Sequence, residues 1–338
     1  MTYCEKVIGR TPTRLWINNP TLEEIDLALS AGVKNCTTNP AYCNRLIKNE
    51  PGYLRSVIDS VIVHEKDDDA AADLVYQCAV GRILKKFANT GYVTSQPDPR
   101  LEADADRYLK AIGDHIKLAG NYMAKIPVTA AGIKVIEAVL RKGTPVCATE
   151  IFSVSQAICV CGLHKRVCEE INKRVPIYIT HITGIFDECL SRYAKLNNID
   201  IAPETLGKAG AAVGRKQYRM IKNRGYDVRM LGGGARGACH FTDFVGGDMD
   251  VTLNWSTIKE LDSIGFEPVE LINEEVSDDI IQELRSKFDD FRKAYDDDAL
   301  CPEEFEDYRP VALFRNNFLE GYYALLAEIA ARRAQLLC

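Results

Sequence analysis

Short apolar runs rich in β-branched and aromatic residues recur along the chain, and segments with helical periodicity separate them. Runs of this length are typical of buried strands, and their alternation with helices predicts an α/β fold with a parallel sheet. Eight strands are predicted, over residues 14–17, 33–37, 92–95, 122–126, 146–149, 177–180, 228–231 and 250–253. Eight strands with helical connections favour a single (β/α)8 barrel of the TIM type over an open sheet.

Helix ends carry recognisable signals. Thr21 and Glu24 form a capping box before the first connecting helix, because each side chain can bond the backbone N–H of the other. A long helix is predicted over about residues 69–87, in front of the third strand. We expect one domain over residues 1–338, with strand–helix units at about 13–265 and a C-terminal helical extension at about 270–338.

The extension ends in a helix with one apolar stripe, formed by Phe318, Tyr322, Leu325 and Ile329. Such a stripe has to pack against another surface. That surface is either the mouth of the barrel or a second subunit, and the second alternative would make the protein a homo-oligomer through this helix. The acidic run 296–298 before the helix is interpreted as a solvated turn.

Composition and charge narrow the class of protein. The 338 residues are 46% hydrophobic and 27% charged, which is ordinary for a globular protein with a large core. The net charge of −6 argues against binding to nucleic acid or to an anionic membrane. The N-terminus lacks the apolar core of a signal peptide, and no apolar run approaches the ~20 residues that span a bilayer. We therefore expect a soluble, cytoplasmic protein.

The chain contains twelve cysteines, which a cytoplasmic setting keeps reduced. The densest group is Cys159, Cys161, His164 and Cys168, on a predicted helix. Cys159 and Cys161 point in different directions on a helix, and the usual CxxC spacing of metal ligands is absent from the sequence. We interpret these cysteines as small hydrophobic residues of the core, and we expect neither a metal nor another cofactor.

Lys125 is the leading candidate for chemistry. It lies in the run 122–126, just before Pro127 and a helical segment, and α/β barrels keep their active sites at the C-terminal ends of the strands. Two interpretations are open. The side chain either extends to solvent from the strand end, or it is an amine in a partly apolar pocket, where desolvation lowers its pKa and makes it a nucleophile towards carbonyls.

Motifs at successive strand ends resemble those of the transaldolases, including their smaller fructose-6-phosphate aldolase relatives. The segment Lys-Ile-Pro-Val-Thr-Ala-Ala-Gly at 125–132 is very close to the one that carries the family's Schiff-base lysine. The other matching segments are 22–25, 37–40, 95–101, Thr149 with 152–157, and 233–236. The matches run in chain order from about residue 15 to 260.

The resemblance implies that Lys125 forms an imine with a ketose, so that the C3–C4 bond can break. It places the other catalytic positions at Asn18, Gln96 and Thr149. It places substrate contacts at Asn39, Cys147, Thr180 and Arg236. A glycine-rich turn followed by an arginine suits a phosphate group.

Several of these residues also have purely structural interpretations. Asn39 precedes Pro40 and is also a typical turn residue. Thr149 and Thr180 can simply fill the barrel interior, and an arginine in a glycine loop is otherwise exposed to solvent.

Three positions depart from the family pattern. Asn18 stands where the family has an aspartate as acid and base, and an amide can orient a hydroxyl group but cannot take up its proton. Gln96 replaces the glutamate of transaldolases proper, although the aldolase branch also has glutamine there. Ile185 replaces a second phosphate-binding arginine. Glu150 and His181 are alternative bases, but strand alternation predicts that both point out of the barrel.

We therefore expect a Schiff-base enzyme of transaldolase type. It would cleave a ketose, such as the sugar phosphate fructose 6-phosphate, at C3–C4 and transfer the dihydroxyacetone unit to an aldehyde. Two alternatives stay open. One is an aldolase or transferase with a non-standard substrate, and the other is a barrel that binds a sugar phosphate without turnover. In each case the expected partner is a small sugar or sugar phosphate.

Overall fold

A computed structural model describes residues 1–265 and 267–337 of the chain. Eight parallel strands pair in chain order, and the last strand pairs with the first, which closes a barrel. The strands are β1 Arg14–Asn18, β2 Asn35–Thr37, β3 Val93–Ser95, β4 Tyr122–Pro127, β5 Val146–Ile151, β6 Ile177–Ile182, β7 Arg229–Gly233 and β8 Asp250–Leu253. The predicted TIM-type barrel is confirmed.

Helices connect the strands and continue after the last one. In the described residues they are α1 Tyr3–Arg10, α2 Leu22–Ser30, α3 Tyr42–Asn49, α4 Pro51–Ile62, α5 Asp68–Lys86, α6 Ala105–Ile116, α7 Ala130–Arg141, α8 Val154–Glu170, α9 Gly184–Leu196, α10 Pro203–Leu206, α11 Ala209–Asn223, α12 Cys239–Thr242, α13 Trp255–Asp262, α14 Asp278–Lys287, α15 Asp289–Tyr295 and α16 Arg309–Leu337. Short 3-10 helices lie at Pro99–Leu101 and Pro302–Glu304. None of the helices within 1–265 and 267–337 combines the length and apolar character that a membrane crossing requires.

The strands differ from the sequence prediction at their ends. Val33 is not part of β2, because its N–H bonds to the carbonyl of Ala28 and closes the end of α2, where Gly32 has a φ of +87°. The apolar run at 33–37 therefore begins with a helix-closing contact. β5 and β6 each continue two residues further than predicted.

The inside of the barrel is filled below its mouth. Trp16, Met123, Cys147, Tyr178 and Leu231 form a buried cluster that is separate from the main core between strands and helices. Met123 and Lys125 are two residues apart on β4, so their side chains point to the same, inner face. The apolar cluster thus forms a floor beneath Lys125.

The long helix α16 covers the open end of the barrel, on the side of Lys125 away from the apolar floor. It packs on α3, α4, α5 and α9, and it also contacts β5. All four residues of the apolar stripe are buried. Of the two surfaces considered for this stripe, the barrel itself is the one it packs against. That the whole chain forms one domain stays a prediction.

The cysteine group on α8 is only partly as predicted. Cys161 is buried, but Cys159 and Cys168 are half-buried. His164 is buried and donates from Nε2 to the carbonyl of Val175 at 2.8 Å. Its ring is therefore engaged by the backbone.

Candidate active site

Lys125 lies on β4, inside the mouth of the barrel. It is only 5% exposed, and its Nζ donates a hydrogen bond to the carbonyl of Thr38 at 3.3 Å. Burial lowers the pKa of Lys125, while the charges of Cys147, Glu150 and Glu102 act in the opposite direction. Of the two interpretations made from the sequence, the buried amine is the one observed. A lowered pKa enlarges the neutral fraction, and only a neutral amine attacks a carbonyl.

A cavity of about 370 Å³ opens over Lys125, within the size range of small-molecule sites. Six of the residues predicted from the sequence line it: Asn18, Asn39, Lys125, Thr149, Thr180 and Arg236. Of the described residues predicted to form the site, Gln96 and Cys147 lie outside this wall. A larger cavity, about 1100 Å³, lies beside α5 and the N-terminal ends of β3 and β4. Since its lining shares none of the predicted site residues, we place the candidate site in the smaller cavity.

Asn18, at the end of β1, is held by hydrogen bonds at both ends of its amide. The Thr37 hydroxyl donates to Asn18 Oδ1 at 2.9 Å, and Asn18 Nδ2 donates to Asn254 Oδ1 at 2.9 Å. The Thr252 hydroxyl lies 2.7 Å from Thr37 Oγ1, and it is the donor because the Thr37 proton is already used. These four side chains can orient a substrate hydroxyl, but none of them accepts a proton at neutral pH.

Asn39 faces Asn19, a residue that the sequence did not single out. Asn19 Nδ2 donates to Asn39 Oδ1 at 3.1 Å, and the Asn39 N–H donates to Asn19 Oδ1 at 3.2 Å. Asn39 Oδ1 also accepts from the N–H of Ala41 at 3.0 Å. Asn39 is therefore both a turn residue and part of the cavity wall. Asn19 has a φ of +46°, a conformation that asparagine tolerates better than most residues.

Two threonines lie on neighbouring strands of the cavity wall. The Thr149 hydroxyl is buried and has no hydrogen-bond partner among the residues that the structure describes. It is thus available to a substrate or to a water molecule. The Thr180 hydroxyl lies 3.2 Å from the sulfur of Cys147. Cys147 pairs with Lys125 in the register of β4 and β5 and belongs to the floor of the barrel.

Arg236 lies at the rim, after β7, and is paired with an acidic residue. Its Nε donates to Glu188 Oε2 at 2.8 Å, and Glu188 also accepts from Arg192. Burial disfavours the charged form of Glu188 and by itself would raise its pKa. The two guanidinium groups outweigh this effect, and the pKa of Glu188 is lowered. Ile185, Glu188 and Arg192 are three and four residues apart on α9 and all line the cavity. Sequence reasoning missed Glu188 and Arg192, although their helical spacing from Ile185 was a usable signal.

A buried pair supports the loop that carries Arg236. The Arg236 N–H donates to His240 Nδ1 at 3.0 Å, and His240 Nε2 donates to Asp187 Oδ2 at 3.0 Å. Asp187 Oδ1 accepts from the N–H of Gly210 at 2.6 Å. A Cβ at Gly184 would lie 2.8 Å from the Arg236 nitrogen. The absence of a side chain at Gly184 therefore lets the loop approach the start of α9.

The two alternative bases, His181 and Glu150, do not line the cavity. His181 Nε2 donates to the carbonyl of Gly210 at 2.8 Å, and burial lowers the pKa of His181 to about 4. Glu150 is fully buried and accepts from Gln96 Nε2 at 3.1 Å. The same nitrogen donates to Glu102 Oε1 at 2.8 Å. Glu102 was missed in the sequence, because nothing in a loop sequence marks a glutamate as buried.

The last helix completes the roof of the site. Phe314, Asn317 and Phe318 of α16 line the cavity. The ring centroid of Phe318 lies 5.5 Å from Lys125 Nζ. The apolar stripe in the sequence predicted the burial of Phe318, but it carried no sign that the residue faces the lysine.

Comparison with known proteins identifies the family. The protein family described as "Transaldolase/Fructose-6-phosphate aldolase" matches this chain over residues 15–308, well over half of its length. The chain belongs to this family. A transaldolase of Campylobacter jejuni (strain RM1221) is 30% identical over 193 residues, which cover 50% of this chain and 57% of that protein. Transaldolase 2 of Nostoc sp. (strain PCC 7120) is 27% identical over 185 residues, 46% of each protein.

The transaldolase of Saccharopolyspora erythraea is 27% identical over 218 residues, 61% of this chain and 59% of that protein. The chain thus spans less than two thirds of the length of these relatives. All six predicted residues in the cavity wall lie within the family match, whereas α16 begins at Arg309, just beyond it. The roof over Lys125 therefore lies outside the part of the chain that matches the family.

Proposed function

We propose that the protein is a transaldolase-type transferase that uses Lys125 as its Schiff-base nucleophile. The observation that carries the proposal is the buried amine: Lys125 is 5% exposed, has a lowered pKa and lines a cavity of suitable size for a sugar. Family membership supports the same chemistry. The protein would act on a small sugar or sugar phosphate, in the cytoplasm.

The reaction begins when the neutral Lys125 amine attacks the C2 carbonyl of a ketose. The adduct takes up one proton and loses water, which leaves a positively charged iminium. This charge attracts the electrons of the C3–C4 bond, so the bond breaks as the C4 hydroxyl gives up its proton to water, because the side chains around Asn18 cannot accept it. An aldehyde leaves and a three-carbon enamine stays on Lys125. The enamine then adds to a second aldehyde, which reverses the cleavage step. Hydrolysis of the resulting imine reverses its formation and releases the new ketose.

The polar wall of the cavity has the residues to orient such a substrate. The amides of Asn18 and Asn39 and the hydroxyl of Thr180 would hold substrate hydroxyl groups. The Thr149 hydroxyl, which is free of partners in the described chain, would position the water that is lost and regained. Arg236 would bind the phosphate of a ketose such as fructose 6-phosphate, since a guanidinium group matches phosphate geometry.

Borohydride trapping tests the proposal. Reduction in the presence of fructose 6-phosphate or dihydroxyacetone should fix the ketose on Lys125, as a mass increase located by peptide mapping. Lys125→Met should remove the adduct and keep the fold. Lys216→Met, at a lysine of α11 outside the cavity, is the matched control and should trap like the wild type. Absence of an adduct in the wild type would favour binding without turnover.

A second measurement separates a transferase from an aldolase. With an acceptor aldehyde present, a transferase yields a new ketose whose mass reports the acceptor. An aldolase releases dihydroxyacetone whether or not the acceptor is present. The same panel of donors and acceptors identifies a non-standard substrate.

A further inference from the structure

Two buried carboxyl groups share one amide beside the candidate site. Gln96 Nε2 donates to Oε1 of both Glu102 and Glu150, at 2.8 and 3.1 Å. None of the three residues is more than 2% exposed. In the described chain, Oε2 of each glutamate and Oε1 of Gln96 have no hydrogen-bond partner. Two carboxylates this close and away from water cannot both be ionised.

Hydrogen bonds connect this cluster to Lys125. Lys125 Nζ donates to the Thr38 carbonyl at 3.3 Å, and the Thr38 hydroxyl donates to the Thr94 carbonyl at 2.7 Å. The Tyr76 hydroxyl must therefore donate to Thr38 Oγ1, at 3.0 Å. Tyr76 in turn accepts from the backbone N–H of Gln96 at 3.4 Å. The position of Gln96 is thus fixed relative to the lysine.

The charged and titratable groups that act on the cluster come from three elements. They are Lys125 of β4, Tyr108 of α6 and Arg315 of α16. Burial raises the pKa of Glu150 to about 7, against the effects of Gln96, Lys125 and Arg315. Burial also raises the pKa of Glu102, and the charge of Glu150 adds to this rise. Just above the Glu150 pKa of about 7, we therefore expect the pair to hold about one proton.

The backbone at this point is also unusual. Glu150 has a φ of +61°, and the register between β5 and β6 shifts between Ala148 and Ile151. A non-glycine residue in this conformation costs free energy, as does a buried carboxyl pair with unpartnered oxygens. Stability of the fold does not account for such an arrangement. It occurs beside the one buried lysine that lines the cavity, among the residues described.

We propose that Glu102 and Glu150, joined by Gln96, share a single proton and that their remaining negative charge is the counter-ion of the cation formed at Lys125. This inference rests on the proposed function, because the cation is the iminium. The two glutamates are positioning residues: they act through charge and do not line the cavity. They supply the negative charge that Asn18, as an amide, cannot provide.

Infrared spectroscopy tests the shared proton without any substrate. At about pH 8, above the Glu150 pKa of about 7, the wild type should show the C=O stretch of one protonated carboxyl that both Glu102→Gln and Glu150→Gln lose. Each single variant retains one carboxyl, whose pKa should fall because its neighbour no longer repels its charge and because the new glutamine can donate a hydrogen bond to it. Asp250→Asn is the matched control: this carboxyl is fully buried at the other end of the barrel, bonded to Trp16. It should leave the shared band unchanged.

Borohydride trapping with dihydroxyacetone tests the counter-ion. Each single variant keeps one negative charge, so its imine yield at about pH 8 should stay within about threefold of the wild type. Its acid-side midpoint should move to higher pH, because a lone carboxylate has no partner to share its charge and therefore protonates more readily than the singly protonated pair. The double variant has no charge left, and its imine yield should fall at least about tenfold. Should the double variant fail to fold, the midpoint shift in the single variants still decides the matter.

The outcomes separate this inference from the proposed function. If the wild type shows the infrared band but forms no imine, the proposed Schiff-base function is contradicted. The counter-ion role then fails with it, whereas the shared proton is still supported. If the infrared band is missing, or if the acid-side midpoint of imine trapping in the single variants equals that of the wild type, the inference is overturned. Neither result contradicts the proposed Schiff-base function. An undiminished imine yield in a folded double variant also overturns the inference.

Discussion

The ring of Phe318 lies 5.5 Å from the Nζ atom of Lys125, across the candidate site. The two residues belong to the last helix of the chain and to the fourth strand of the barrel. Burial is the largest cause of the lowered Lys125 pKa, and Phe318 is one of the groups that keep water from the amine. The surroundings of the buried lysine therefore include a helix beyond residues 15–308, the part of the chain that matches the family.

Phe318→Ala should raise the pKa of Lys125 towards its ordinary value. Water would enter where the ring lay and would stabilise the ammonium form. Loss of the ring's cation–π attraction acts the other way, but the contact is long, with 5.5 Å between Nζ and the ring centroid, and we expect the entry of water to outweigh it. We expect the pH midpoint for borohydride trapping with dihydroxyacetone to rise by about one unit.

Leu325→Ala is the control for this experiment. Leu325 is 1% exposed and lies on the same stripe of α16, two turns further along. Its truncation should destabilise the helix by about 2–5 kcal/mol, as large-to-small core changes do, without moving the trapping midpoint. Equal midpoints in Phe318→Ala and the wild type would show that other groups desolvate the lysine.

The barrel was predictable from the sequence because each strand is a compact apolar run with its own end signals. The helix that places Lys125 at a strand end is of this kind, since Thr129 caps it in the structure through a bond to the Gly132 N–H. The boundary at Val33 was not predictable, because its N–H completes a helix end instead of a sheet. Apolar character alone does not distinguish these two uses of a valine.

The site was predictable where it depends on strand order and not where it depends on distant contacts. Asn18, Lys125 and Arg236 meet because parallel strands bring their C-terminal ends together. The pairing of Glu102 with Glu150 joins a loop to a strand through Gln96, so no local pattern reveals it. The position of Phe318 likewise follows from how α16 lies on the barrel.

Arg236→Gln should weaken binding of a phosphorylated substrate far more than that of its unphosphorylated analogue. A lost charge-assisted contact is worth about 1.5–3 kcal/mol, so KM for fructose 6-phosphate should rise roughly 10–150-fold. The matched control is Arg229→Gln, at the other end of β7 and outside the cavity lining. Steady-state kinetics on both sugars measures the ratio. A similar rise for both sugars in Arg236→Gln would mean that the arginine is structural.

Glu188→Gln should have the opposite effect to Arg236→Gln. The Glu188 carboxylate bonds to both Arg236 and Arg192 and so competes with an anionic substrate group for them. With the charge removed, we expect inorganic phosphate to inhibit more strongly, by about tenfold, and KM for fructose 6-phosphate to fall. Inhibition constants for phosphate in the wild type and the variant are the measurement. Weaker inhibition in the variant would show that Glu188 orients the arginines for phosphate.

Asn18→Asp should accelerate cleavage of fructose 6-phosphate. Asn18 bonds to the Thr37 hydroxyl and to the Asn254 amide, and a half-turn of that amide lets it donate to the new carboxylate. The substitution is nearly isosteric, and the iminium charge at Lys125 keeps the aspartate ionised, as a base requires. Since a positioned general base contributes about 10²–10⁴-fold, we expect at least a tenfold faster retro-aldol step, with imine formation little changed.

Single-turnover kinetics distinguishes the two steps, because trapping reports the imine and aldehyde release reports cleavage. Asn35→Asp is the matched control: it introduces the same carboxylate at the start of β2, outside the cavity, where its oxygen can still accept the hydrogen bond of the Tyr92 N–H. It should leave the cleavage rate near that of the wild type, since the carboxylate is held away from the site of proton transfer. A slower Asn18→Asp variant would contradict the idea that Asn18 limits the reaction. It would indicate instead that the amide is matched to a different ketose, whose C4 hydroxyl loses its proton to another group.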